Sequence, residues 1–236
     1  MGGNMKITPI SEGTLMVEFS AVISAETTQC IADFVTYFEQ QYTAFIIEIV
    51  PSYTKVMLQY KLSQCDFNQL QHICLNWYQE YNIDQRRAPV KVHQLAIYYH
   101  PEVGPDLPSL AMSRQLSIEA VIELHSRQTY DIGAIGFAPG FAFLSSVDEA
   151  IAVPRHQTPR PCVPAGSVGI ADQQTAIYPQ TSPGGWHIIG NCPQSVFETT
   201  TYPQSCFAVG DKVKFNAIDR ATFLALGGVI CPVWPS

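Results

Sequence analysis

Helix-length periodicity stops near residue 130, and that break constrains the fold more than any single motif does. Before it, Ser24 can cap a helix whose apolar stripe is Ile31, Phe34, Val35 and Phe38. Asp66 can cap a second one, with Leu70, Ile73, Cys74, Trp77 and Tyr81 on its buried face. Around these helices stand strand patterns: "TLMVEF" from Thr14, then "AFIIEIV" and "YTKVMLQY" parted at Pro51 and Ser52, then "VKVHQLAIYY". Two short helices follow, near Leu107 to Met112 and Ile118 to His125. From Tyr130 onward the chain offers only short β-like runs broken by Gly and Pro: "YDIGAIGF", "SVGIA", "TAIYP", "WHIIG" and "CFAVGDKVKF".

The first part therefore reads β-α-β-β-α-β, the split arrangement of a ferredoxin-like domain. The second reads as a β-barrel or sandwich, with "VGDKVKF" entering a late hairpin. The fold class is α+β. The polar, Pro-terminated "NIDQRRAP" (Asn82 to Pro89) precedes the last strand of the first pattern and sets the boundary, giving domains 1–89 and 90–236. The apolar tail "ATFLALGGVICPVWPS" either covers the barrel or meets a partner, and packing within the chain is the expectation.

Composition excludes several classes. A hydrophobic fraction of 47% against 14% charged residues is that of a packed globular chain. With a net charge of −7 and only 13 basic residues, none in a run, nucleic acid and anionic membrane find no electrostatic footprint. No apolar run reaches spanning length, and "MGGNMKITPI" lacks the apolar core of a signal peptide. Lys6 stands where a myristoylation signal needs Ser or Thr. The cytoplasm is the expected compartment. The seven cysteines are scattered without a C-x-x-C pair and read as reduced, mostly buried thiols. The histidines form no ligand spacing, so a zinc site would need donors gathered from distant segments, and none is expected.

Several residues carry candidate chemistry. Behind Ser117, the helix "SIEAVIELH" places Ile118, Val121, Ile122 and His125 on one inward face. His125 is then either a satisfied core group or a proton carrier. "GFAPGFAFL" (Gly136 to Leu144) is either a wide turn plugged by phenylalanines or a pocket wall. In "PRHQTPRPCVPAGS", Arg155 and Arg160 sit on a proline-stiffened segment, where they either hold a carboxylate or phosphate or lie solvated at the surface. Ser167, Gln174, Thr175 and Tyr178 add neutral donors and acceptors. "SPGGWHIIG" adds Ser182, Gly184, Gly185 and Trp186, in a pattern that is neither a Walker loop nor a dinucleotide turn.

The stretches "GFAPGFAFL", "PRHQTPRPCVPAGSVGIADQQTAIYP" and "SPGGWHIIGNCP" together resemble the signature of the carboxyltransferase C/D-type family. "LMVEFS", "EIVPSYTKVMLQY", "GPDL" and "IELHS" resemble further blocks of that family, in its order, so the likeness runs from Thr14 to Phe215. The family includes KipI sensor-kinase inhibitors, the B component of 5-oxoprolinase and the so-called allophanate hydrolase subunit 1. The resemblance implies a small α/β domain followed by a cyclophilin-like β-barrel. It also implies pocket residues His125, Arg160, Ser167, Gln174, Ser182 and Trp186. This chain departs from the pattern at Phe143, where Tyr is usual, at Asn191, where Arg is usual, and at Cys192, where Thr is common.

The function implied by the resemblance is that of one subunit in a multi-component, ATP-dependent 5-oxoprolinase, opening 5-oxo-L-proline to L-glutamate. Its partners would be a paralogous, KipA-like C component and an A component, with ATP as co-substrate of the assembled hetero-oligomer and no activity in the lone chain. In this reading His125, Arg160 and Gln174 are catalytic, and Ser167, Thr175, Ser182, Gly184, Gly185 and Trp186 bind the ligand. The alternative is a KipI-type inhibitor that contacts a sensor histidine kinase without chemistry of its own. A urea- or carboxyl-transfer role is weaker, because no biotin-attachment motif is present.

Overall fold

The computed structural model describes residues 5–82, 90–200 and 205–230. Most of "NIDQRRAP", Cys231 and the end of the apolar tail lie outside these described residues. The chain divides into two compact units, Met1–Val90 and Lys91–Ser236.

In the first unit β1 (Lys6–Ser11), β2 (Thr14–Glu18), β3 (Ile46–Ser52) and β4 (Lys55–Tyr60) form an antiparallel sheet in the order β1-β2-β4-β3. Alternation sets its buried face: Leu15 and Val17 on β2, and Val56, Leu58 and Tyr60 on β4, are all buried. Helix α1 (Ala25–Gln41) begins where Ser24 accepts from the Thr27 amide, and α2 (Phe67–Glu80) begins in a reciprocal capping box between Asp66 and Gln69. Their inward stripes meet as aromatic rings, Phe34 lying edge-on to Trp77 at 5.0 Å between centroids.

The βαββαβ reading needs one correction. The strand expected to close this first domain, β5 (Val92–Tyr98), pairs in parallel along its whole length with β13 (Lys212–Ile218) and at its end with β12 (His187–Asn191). It belongs to the second unit. Beside β2, the edge that a closing strand would take is held instead by β1. That strand's largely exposed residues and Pro9 suit a sheet edge and give it no apolar alternation to read.

The second unit is a closed barrel. Besides β5, β12 and β13 it uses β6 (Thr129–Ile135), β7 (Ala142–Ser145), β9 (Ser167–Ala171) and β10 (Gln174–Ile177), in the order β6-β13-β5-β12-β9-β10-β7. Pairing of β7 back onto β6 closes it. This mixed α/β chain with a barrel agrees with the expected fold class. The expected late hairpin does not form: β13 pairs with β5 and β6. Ile97, Tyr130, Ile132, Val168, Ile170, Val213 and Phe215 fill the interior. Helices α3 (Leu107–Ser113) and α4 (Ile118–Ser126) add Leu107, Leu110 and Val121 to the same core. A separate ribbon pairs β8 (Arg160–Val163) with β11 (Ser182–Gly184). Helix α5 (Arg220–Ala225) lays Phe223 against Tyr98.

If β5 is a barrel strand, Ile97→Ala removes core volume from the second unit only, at a cost of about 2–5 kcal/mol. Hydrogen exchange should then lose protection at β12, β13 and β6 while α1 and α2 keep theirs. Lost protection confined to α1 and α2 would return the strand to the first unit.

Candidate binding site

The wide turn of "GFAPGFAFL" puts Phe137 out at the surface and Phe141 inside. Phe141 meets Tyr178 and Trp186 edge-on, at 5.3 and 5.7 Å between ring centroids. These rings and Phe143 surround a cavity of about 400 Å³. Pro183, Gly184 and Gly185 floor it where β11 runs into β12. Glycine is required at 184, because a Cβ there would stand 2.2 Å from the buried Tyr178 hydroxyl. Among the described residues, Arg155 is the only charged group on the wall, its guanidinium 5.9 Å from the Trp186 ring centre. Burial pushes the Tyr178 hydroxyl up to about 12, so it keeps its proton.

Behind this wall lies a charged cluster centred on Asp106, only 5% exposed at the head of α3. Arg160 grips its carboxylate with two parallel hydrogen bonds of 2.8 and 2.7 Å. The Ile188 amide of β12 donates a third at 2.7 Å. Burial pushes the Asp106 carboxyl up, but the Arg160 fork and the Ile188 amide outweigh it and hold the group below its ordinary range. The His156 and His187 rings stack beside it at 3.8 Å. Burial, and after it the proximity of His156, lower the His187 value.

The residues expected from the sequence do not converge on one cavity. Gly184, Gly185 and Trp186 line the aromatic one. Ser182 stands opposite Val163 in the ribbon, and Gln174 opposite Ala171 and Ser145 in the barrel wall. The fully buried Ser167 hydroxyl has no hydrogen-bond partner among the described residues. Arg160, the expected anion holder, is engaged by Asp106 instead.

His125 ends the inward stripe of α4, as helical spacing requires, but it is fully buried with both ring nitrogens satisfied. Thr175 donates its hydroxyl to the Gly169 carbonyl at 2.9 Å, so its oxygen accepts from His125 Nε2–H at 2.8 Å. Nδ1 then accepts from the Tyr99 hydroxyl at 2.7 Å. Phe215 stacks on the ring at 4.9 Å, and burial lowers the imidazole pKa to about 3. This geometry is that of a neutral core group, and Thr175 shares it.

Comparison with known proteins places this geometry in a family. Residues 5–207 match the model of the carboxyltransferase domain, subdomain C and D. The chain belongs to this family. Over 229 residues it is 32% identical to the 5-oxoprolinase B subunit of Bacillus subtilis, covering 93% of this chain and 95% of that one. The crystal structure of TTHA0988 superposes with a TM-score of 0.76 at 28% identity, covering 91% of this chain and 40% of that longer one. Urea carboxylase of Kluyveromyces lactis shares the fold alone, at 13% identity and a TM-score of 0.65, over 94% of this chain and 22% of that one.

Within the carboxyltransferase C/D family frame, the departures take on physical content. Phe143 lines the aromatic cavity, so the missing hydroxyl makes that wall more apolar. Asn191 and Cys192 border a second cavity of about 490 Å³, where Asn191 Nδ2 donates to the Ala165 carbonyl at 3.0 Å. Burial pushes the Cys192 thiol up to about 11. Sequence reasoning names Arg155 and Tyr178 as candidates without placing them among the site residues, and it does not find the Asp106, His156 and His187 cluster. The "GPDL" block is the available signal for Asp106: a Cβ on Gly104 would stand 2.2 Å from the Ile189 backbone, so the turn before Asp106 is pressed onto β12.

A buried neutral His125 has a testable sign. Its folded pKa of about 3 lies below the unfolded value of about 6.5, so between these values the unfolded chain binds the extra proton. Its contribution is complete above pH 6.5 and falls toward pH 3 at up to about 1.4 kcal/mol per unit. Urea unfolding at pH 7 and pH 5 should therefore show a drop about 2 kcal/mol smaller in His125→Gln than in the parent protein. Equal drops would mean that His125 is not held neutral.

Proposed function

We propose that this chain is the B component of an ATP-dependent 5-oxoprolinase, acting with a paralogous C component and an A component. The observation that carries the reading is the character of the aromatic cavity: flat rings, one cation and, among the described residues, no group that exchanges protons near neutral pH. Phe141, Phe143 and Trp186 offer faces to a small ring such as a lactam, and Arg155 offers a fork to its carboxylate. Arg155 thus takes the role expected of Arg160. Among the described residues the wall holds no carboxylate, imidazole or thiol, and Tyr178 is fixed in its protonated form. Such a surface binds and orients a substrate but cannot act as general acid or base.

The remaining chemistry falls to the other components. A triphosphate needs several cations or convergent amides, and one guanidinium does not supply them, so the reading assigns ATP to a partner. Two comparisons support the partnership: likeness along nearly the full length of a protein named as the B subunit of 5-oxoprolinase, and a longer related chain that has this fold in only 40% of its length.

The isolated chain should show no 5-oxoproline-dependent ATP hydrolysis, and the three-component mixture should show it. In that mixture Trp186→Ala or Arg155→Ala should lower kcat/KM for 5-oxoproline by about 10- to 100-fold, or 1.4–2.8 kcal/mol. Turnover by the chain alone, or full activity in both variants, would contradict the proposal.

A further inference from the structure

Outside the cavity wall, three donor atoms from separate segments face one another: a carboxylate oxygen of Asp106 and one imidazole nitrogen each from His156 and His187, all within 4.8 Å. We propose that they bind a divalent transition-metal ion of the zinc class. The assignment stands apart from any role of the aromatic cavity.

Hydrogen bonding decides which atoms are available. His187 Nε2 lies 3.0 Å from the Pro154 carbonyl, which can only accept, so Nε2 carries the proton. Nδ1 therefore presents a lone pair, and it is buried with no hydrogen-bond partner among the described residues. His156 Nε2 is likewise buried without a hydrogen-bond partner among the described residues. It lies 3.3 Å from Asp106 Oδ1 without hydrogen-bond alignment. Two buried imidazole nitrogens without hydrogen-bond partners beside one carboxylate form an arrangement that a cation would satisfy.

The surrounding groups are those of a second coordination shell. A histidine whose far nitrogen donates to a backbone carbonyl has its tautomer and ring orientation set for metal binding. The Asp106 carboxylate is fixed in place by the Arg160 fork and the Ile188 amide. Donors around a tetrahedral zinc ion with bonds of about 2.0–2.1 Å stand roughly 3.3 Å apart. The His156 to Asp106 edge already has that length. The remaining edges are no longer than 4.8 Å and would shorten on binding to complete the triangle.

Donor chemistry selects the ion. Two imidazoles and one carboxylate disfavour calcium and magnesium, which prefer oxygen ligands, and copper(I), which prefers sulfur. Arg160 opposes the incoming positive charge. It limits affinity and favours an anion, such as hydroxide or a carboxylate, at the remaining position.

The test uses the full chain, stripped with chelator and titrated with zinc chloride by calorimetry and with cobalt(II) by visible absorption. One equivalent should bind, and cobalt should give the intense absorption of a four- or five-coordinate centre. His156→Ala and His187→Ala should each weaken binding by about tenfold or more, while His100→Ala, an exposed histidine elsewhere, should leave it unchanged. His156→Gln, which keeps a side chain of similar length, covers the case in which an alanine variant fails to fold. No saturable uptake, uptake unchanged in the His156 and His187 variants, or loss in His100→Ala would overturn the proposal.

Discussion

One buried carboxylate organises this part of the second unit. Asp106 accepts from Arg160 on β8 and from the Ile188 amide on β12, while its own amide donates to the Ile188 carbonyl at 3.0 Å. It thereby ties the head of α3, the barrel wall and the outlying ribbon at one point. Because β8 and β12 flank the segments that carry Pro159, Gly185 and Trp186, this tie also fixes one side of the aromatic cavity. Removing one partner would leave a buried charge uncompensated, a penalty of about 3–5 kcal/mol. Loss of Arg160 would therefore disturb the cavity without Arg160 touching a ligand.

This tie explains why a sequence reading assigns Arg160 to the ligand. A proline-stiffened loop with two arginines and a distant Asp in "GPDL" gives no indication of which arginine is engaged internally. The structure divides them, with Arg160 closed onto Asp106 and Arg155 left over Trp186. His125 misleads for a related reason. Helical spacing correctly turns it inward, but spacing cannot show that Tyr99, just past β5, and Thr175 on β10 satisfy both its nitrogens. The Asp106, His156 and His187 cluster is illegible in the sequence because each member comes from a different segment. Local patterns raise the cavity wall as one of two readings of "GFAPGFAFL", and the rings and glycines of that stretch and of "SPGGW" line the cavity in the structure.

The fold is legible wherever a local signal suffices. Ser24, Asp66 and Ser117 cap the helices they were expected to cap. Short Gly- and Pro-broken strands point to a barrel or sandwich, and the pairing makes it a barrel. The signal fails where the answer lies in pairing. Alternation in "VHQLAIY" states which side chains face inward but not which strand lies alongside, and β5 pairs with residues far along the chain. The strand β1 escapes notice because an exposed edge needs no apolar pattern.

The central claim is that the cavity between Phe141, Trp186 and Arg155 receives the substrate ring. The most direct measurement is a crystal structure of the assembled complex grown with 5-oxo-L-proline and without nucleotide. The account predicts the lactam ring against Trp186, with its carboxylate within hydrogen-bond reach of the Arg155 guanidinium. A ligand bound elsewhere in the complex, with this cavity filled only by water, would contradict it.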